Sequence, residues 1–266
     1  MKNPLFKKIL QLLALIGLPL LSCAQKSLFE KAVFVSDSDT LPYRILYPDD
    51  FDKSKKYPLL LFLHGSGERG NDNEAQLRNG VDFFATSDNL KNFPAIVLVP
   101  QCPVEDYWSS VERTLDEKGN RKFNFSEELE PTPIMHLLTD FLEEYRLKPW
   151  IDLDRLYVGG LSMGGMGTFE LLALRPDWFA AAFPICGGGD PESAVKYAGK
   201  TSLWIFHGEV DDVVPVVRSV EMADVINEAG GDARLTIYPG VGHASWINAF
   251  KEPELLQWVF SKRKKH

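Results

Sequence analysis

Unbroken apolar runs constrain this chain more than any other feature. They fall at residues 58–63 (Pro-Leu-Leu-Leu-Phe-Leu), 95–99 (Ala-Ile-Val-Leu-Val), 156–158, 180–185 and 203–206, and a mixed run, Arg-Leu-Thr-Ile-Tyr at 234–238, reads as a further strand. A strand with one wet face alternates apolar and polar residues, and the unbroken runs do not. They suit strands covered on both faces, hence a parallel sheet. Helical patterns fill the gaps. Residues 133–147 put Ile134, Leu137, Leu138, Phe141, Leu142 and Tyr145 on one face. Residues 217–229 do the same with Val220, Ala223 and Ile226, then stop at Gly230-Gly231. Shorter helices are expected at 166–174 and 254–260. Residues 32–35 and 41–47 read as a hairpin. The alternation predicts one domain over residues 30–262, a doubly wound, mostly parallel α/β sheet with right-handed crossovers. Residues 109–130 break it. They are polar, carry Gly119-Asn120, and hold Phe123 and Phe125. They predict either a lid or rim over a site, or a solvated surface hairpin.

Of the 266 residues, the first 22 look like an export signal. Lys2, Lys7 and Lys8 precede an apolar stretch broken by Gln11, Gly17 and Pro19, too short and interrupted to span a membrane. The signal ends Leu20-Leu21-Ser22-Cys23, which resembles the lipobox of bacterial lipoproteins. That resemblance implies cleavage before Cys23, a lipid on its sulfur, and a periplasmic or outer-membrane location. Ordinary cleavage after Ser22-Cys23-Ala24 would instead release a soluble exported protein. Residues 23–29 are then a linker. The formal net charge is −8, and losing three lysines with the signal makes the remainder more negative. Such a surface repels nucleic acid and anionic membrane, so the only membrane contact expected is a lipid on Cys23. Export permits disulfides, but Cys102 and Cys186 follow strands with two others between them. Three strand spacings of about 4.8 Å hold them too far apart to bridge, and two small buried thiols are expected. The spacings of a metal site are absent.

Chemistry concentrates at strand ends. Gly160-Leu161-Ser162-Met163-Gly164 follows one apolar run and precedes a helical pattern. Small neighbours allow a sharp strand-to-helix turn that lifts the Ser162 hydroxyl out of the sheet. A serine needs a base, a carboxylate to orient the base, and donors for the oxyanion. The acid is expected after the run at 203–206, in His207-Gly208-Glu209-Val210-Asp211-Asp212; Asp211 is the candidate, with Asp212 as competitor. The base is expected after the run at 234–238, in Gly242-His243-Ala244-Ser245-Trp246. His266 lies in the basic tail and His136 in a helix. His64 and His207, each in a His-Gly step at a strand end, read as hydrogen-bonded structural histidines. His243 is what remains. Oxyanion donors are expected from the amides of Met163 and Ser66, with Gly67 competing for the second place. Trp108 and Trp246 sit where rings could line the crevice and stack on sugars or aryl groups. Arg69, just past the oxyanion loop, either grips a carboxylate or braces the loop together with Glu68.

The order Ser162, Asp211, His243 on these strand ends is similar to that of the α/β-hydrolase superfamily. The segments Tyr57 through Gly70, Val99-Pro100-Gln101-Cys102-Pro103 and His207 through Pro215 resemble secreted esterases related to dienelactone hydrolase and to the catalytic domain of prolyl oligopeptidase. The resemblance implies the α/β-hydrolase fold and ester hydrolysis through an acyl-enzyme, with no cofactor. A serine at 162 departs from dienelactone hydrolase proper, whose nucleophile is a cysteine. Export and the aromatic residues make acetyl or feruloyl esters of polysaccharides the expected substrates, with simple small esters as the control. A prolyl-oligopeptidase-type serine peptidase is the alternative, against which stands the lack of room for a propeller domain. A non-catalytic surface binding module would be expected to have lost one of the three residues, and all are present.

Overall fold

In a computed structural model of the chain, the residues described are 28–265 except 37, 38, 118, 120, 127 and 129. The expected export signal, Cys23 and most of the linker lie outside them. In chain order the strands are β1 (Glu30–Val35), β2 (Thr40–Leu46), β3 (Tyr57–Leu63), β4 (Ile96–Pro100), β5 (Glu112–Leu115), β6 (Arg121–Asn124), β7 (Ile151–Leu161), β8 (Ala181–Ile185), β9 (Ser202–Gly208) and β10 (Asp232–Tyr238). The helices are α1 (Ser87–Asn92), α2 (Pro133–Tyr145), α3 (Met163–Leu174), α4 (Val217–Glu228), α5 (Trp246–Ala249) and α6 (Leu255–Ser261).

Eight strands form one sheet in the order β1-β2-β4-β3-β7-β8-β9-β10. The hairpin β1–β2 joins antiparallel at one edge, and β4, β3, β7, β8, β9 and β10 run parallel. This is the doubly wound α/β-hydrolase architecture in a single domain. Strands β3, β4, β8 and β9 are buried along their whole length, as continuous apolar runs require. Helices α2, α3 and α4 cover one face, where Ile134, Phe141, Phe169 and Ile226 meet Leu61, Val158 and Leu203. Helix α6 and the turn at Val81–Ala85 cover the other, where Phe84 and Val259 meet Phe62, Phe183 and Trp204. Among the described residues no helix is long and apolar enough to cross a membrane.

Strand β7 begins five residues earlier than the apolar run suggests. Ile151 already pairs with Tyr57, and the register shifts before Leu156 rejoins Leu59. Asp152 and Arg155 hide this start in the sequence; they pair with each other at 2.7 Å on the half-exposed end of the strand.

The excursion at 109–130 contains the antiparallel hairpin β5–β6, a separate two-stranded sheet. Only Phe123 of its eight strand residues is buried. The base of the excursion is clamped. The Thr132 hydroxyl donates to the Tyr107 carbonyl at 2.8 Å, and Asp106 accepts from the Ile134 amide at 2.8 Å. Thr132 also caps α2 by accepting from Met135, with Pro133 at the first helical position. Cys102 and Cys186 are both free and buried.

Candidate active site

Ser162 stands between β7 and α3 with φ 54° and ψ −114°, a conformation that costs a non-glycine residue about 1–3 kcal/mol. Two neighbours make the turn possible. A side chain on Gly160 would run into the Gly164 carbonyl, and one on Gly164 would run into the Leu63 carbonyl of β3. The Ser162 amide donates to the Ile185 carbonyl at 2.8 Å, which fixes the turn to β8.

His243, on the loop after β10, lies with Nε2 2.9 Å from Ser162 Oγ and Nδ1 2.8 Å from Asp211 Oδ2. Asp211 can only accept when ionised, so the partners assign the hydrogen to Nδ1 and leave Nε2 to accept from the serine. The Trp246 ring meets the His243 ring edge-on at 5.7 Å between centroids. Asp211, after β9, is buried, whereas Asp212 is exposed. Its Oδ1 accepts from the amides of Val213 and Val214, both at 2.9 Å. Burial pushes the carboxyl pKa upward, but hydrogen bonds from His207, His243 and Val214 outweigh it and hold it well below the usual carboxylate range. Asp211 therefore stays ionised where it faces His243.

Residues 51–253 match the sequence profile of the phospholipase/carboxylesterase family. The chain belongs to that family. A solved structure of a thermostable esterase is 33% identical, with a TM-score of 0.80, covering 91% of this chain and 64% of its own. Lysophospholipase-like protein 1 of Mus musculus is 23% identical over 213 residues, 76% of this chain and 86% of the mouse protein. Endo-1,4-beta-xylanase Y of Acetivibrio thermocellus is 23% identical over 176 residues, 62% of this chain but only 15% of the xylanase. The chain spans less than half the length of the first two curated relatives it matches.

In this family member His207 has a role that its strand-end position alone did not reveal. It is fully buried, with Nε2 2.9 Å from the Val214 carbonyl and 3.2 Å from Asp211 Oδ2. Both are acceptors, so Nε2 carries a hydrogen. Nδ1 faces the Ser219 hydroxyl of α4 at 2.7 Å. Two histidines thus share one oxygen of Asp211. The expectation of a hydrogen-bonded structural histidine holds, and the contact with Asp211 could be found only in three dimensions.

His64 is also structural. Its Nδ1 donates to the Gly65 carbonyl at 2.7 Å, and Nε2 accepts from the Cys102 amide at 2.9 Å. It stitches the loop after β3 to the loop after β4. Burial, reinforced by Arg69 and only partly offset by the Gly65 bond, lowers its pKa to about 4, so the ring is neutral.

Ser66 is exposed and lines the same crevice as Ser162, and the Met163 amide opens α3 immediately after it. The first amides of a helix have no acceptor within it. Trp108 is a correction. It is fully buried, packed edge-on to His64 at 5.5 Å, and does not line the crevice. The indole is drawn into the core by the apolar surface it covers, and its neighbour Tyr107 reaches the crevice instead. Trp246 is half-buried against the core and braces His243 from the side. Arg69 is a brace, but not through Glu68. It donates to the carbonyls of Ser66, Val104 and Asp106, while Glu68 takes a hydrogen bond from Asn79.

Proposed function

We propose that this chain hydrolyses carboxylic esters through an acyl-enzyme on Ser162. The observation that carries the reading is the continuous chain from Ser162 Oγ through His243 to Asp211, at 2.9 and 2.8 Å. His243 Nε2 takes the hydroxyl proton as Oγ bonds to the ester carbonyl carbon. The carbonyl oxygen becomes an oxyanion facing the amides of Met163 and Ser66. As the tetrahedral species collapses, the bond to the alcohol oxygen breaks and His243 delivers its proton there. Water then attacks the acyl carbon, gives a proton to His243, and that proton returns to Ser162 Oγ as the acid leaves. Asp211 holds the imidazole orientation and stabilises its charged form.

The substrates proposed are acetyl or feruloyl esters on polysaccharides, met outside the cytoplasm by a protein carried there by residues 1–22 and anchored by a lipid on Cys23. Support comes from the signal-like leader and from similarity to a segment of a protein named as a xylanase. Purified protein should be assayed side by side on acetyl-xylan, methyl ferulate, short p-nitrophenyl esters and peptide amides. Turnover of the carbohydrate esters is expected. Turnover of simple esters alone rejects the polysaccharide assignment, and amide cleavage alone points to a peptidase. Ser162→Ala should lower kcat by about five to six orders of magnitude; a smaller drop excludes Ser162 as the nucleophile.

A further inference from the structure

The crevice over Ser162 has a volume of about 500 Å3, the size of a small-molecule site. Four cations line it: Arg69, Arg113, Arg121 and Lys122. Among the described residues no carboxylate lines it, and none of the four makes an ion pair. This stands against the composition of the chain, whose net charge is −8. Three of the four come from the hairpin β5–β6: Arg113 and Arg121 share the face that carries the buried Phe123, and Lys122 lies on the other face of the ribbon.

Two of them are already positioned. The Arg113 guanidinium lies over the Tyr107 ring, 4.1 Å from its centroid, and Arg69 approaches the same ring at 6.0 Å. Stacking on an aromatic face orders a guanidinium while leaving its N–H fork available. Arg69 is held by three backbone carbonyls, which orient its charge without cancelling it. Like charges gathered at one concave surface repel one another unless something negative joins them, and low-dielectric walls focus their field into the crevice.

Resting on the ester-hydrolase reading above, we propose that this crevice selects esters carrying a carboxylate beside the scissile bond, bound by Arg113 and Arg121 together with Arg69, with Lys122 adding to the field from the rim. The guanidinium fork matches a carboxylate in a two-point contact. The acid group belongs either to the acyl part or to the alcohol part, as in an ester borne by a uronic acid unit.

Matched pairs differing in one charge test this. On the alcohol side the pair is 4-acetoxybenzoate and its methyl ester. On the acyl side it is mono-4-nitrophenyl adipate and methyl 4-nitrophenyl adipate. The ratio of kcat/KM, anionic over neutral, is taken within each protein, so a loss common to both esters cancels. Wild type should favour the anionic member of at least one pair by about tenfold. The triple variant R113A/R121A/K122A should bring that ratio near one. Raising ionic strength from about 0.05 to about 0.5 M should shrink the wild-type preference severalfold, because screening shortens to a few ångströms; this arm requires no variant to fold. Equal or better hydrolysis of the neutral member in both pairs overturns the proposal, as does a preference that survives the triple substitution. The cations would then serve only to keep the exposed hairpin edges from pairing with other chains. Neutral esters turned over by wild type and spared by Ser162→Ala keep the ester-hydrolase reading intact in that event. If wild type hydrolyses none of the four esters this proposal falls, while the ester-hydrolase reading stands or falls separately on acetyl-xylan, methyl ferulate and the short p-nitrophenyl esters.

Discussion

At the scale of single residues, Asp211 collects four donors on two oxygens, and two of them are imidazoles. Removing one donor should loosen the carboxylate without emptying the crevice. His207→Ala is therefore expected to lower kcat about tenfold with KM little changed, measured by steady-state kinetics on a p-nitrophenyl ester. An equal effect on KM would make His207 a packing residue only. Cys186 lies just beneath, with its sulfur within 4.8 Å of the Asp211 and His243 ligand atoms. It is fully buried, and burial together with the Asp211 charge pushes its thiol pKa upward. Iodoacetamide should leave activity intact while an organophosphonate abolishes it, because a protonated, inaccessible thiol does not react. Ser162 and His243 were legible in sequence because each has its own strand end and flanking glycines, and Asp211 with Asp212 left open beside it. The sharing of Asp211 by His207 was not, since it depends on how the loop after β9 folds back on its own strand. Nor was the burial of Trp108, because a tryptophan at a strand end reads alike whether it faces the crevice or the core.

At the scale of elements, continuous apolar runs announced the parallel strands, and the helix patterns placed α2, α4 and α6 to within a few residues. The start of β7 escaped because only Ile151 there is buried; residues 152–155 run past the end of β8, are half-buried or exposed, and have no need to be apolar. The four-residue helix α5 escaped because a single turn shows no periodicity. The polar composition of the excursion leaves open a rim over the site or a surface hairpin, and the structure shows one hairpin that lines the crevice; that the two coincide depends on how the segment folds back and is not written in its sequence. Its closing point can be tested. Thr132→Ala removes both the α2 cap and the bond to Tyr107, and should cost about 1–2 kcal/mol of stability in urea denaturation. A loss confined to a few tenths would mean that Pro133 alone sets the start of the helix.

Across the whole molecule, acid should weaken the fold in two steps. His64 has a folded pKa of about 4, below that of a free imidazole. The unfolded chain therefore binds a proton that the folded chain refuses, and stability falls as pH drops from about 6.5 to about 4, by about 3 kcal/mol in all. Asp211 has a folded pKa depressed below the ordinary carboxylate range. Its contribution is present above the unfolded value and is lost at still lower pH, as the folded group takes up its proton. Denaturation midpoints measured from pH 7 to pH 3 should decline through the upper window, and His64→Asn should flatten that part of the curve. A wild-type stability that is level between pH 6.5 and 4 would refute the neutral, buried state of His64.

The clamp between Asp106–Tyr107 and Thr132–Ile134 brings the two ends of a long insertion almost together. Beyond Trp108, which belongs to the core, what lies between them is joined to the sheet as a handle is joined to a cup. Such an appendage can be shortened, lengthened or exchanged for another without re-threading the eight strands, because the cost of closing a longer loop grows only slowly with its length. A grafted replacement would change what approaches the serine while the serine's own surroundings stay the same, so one scaffold could be re-addressed to new substrates one cassette at a time.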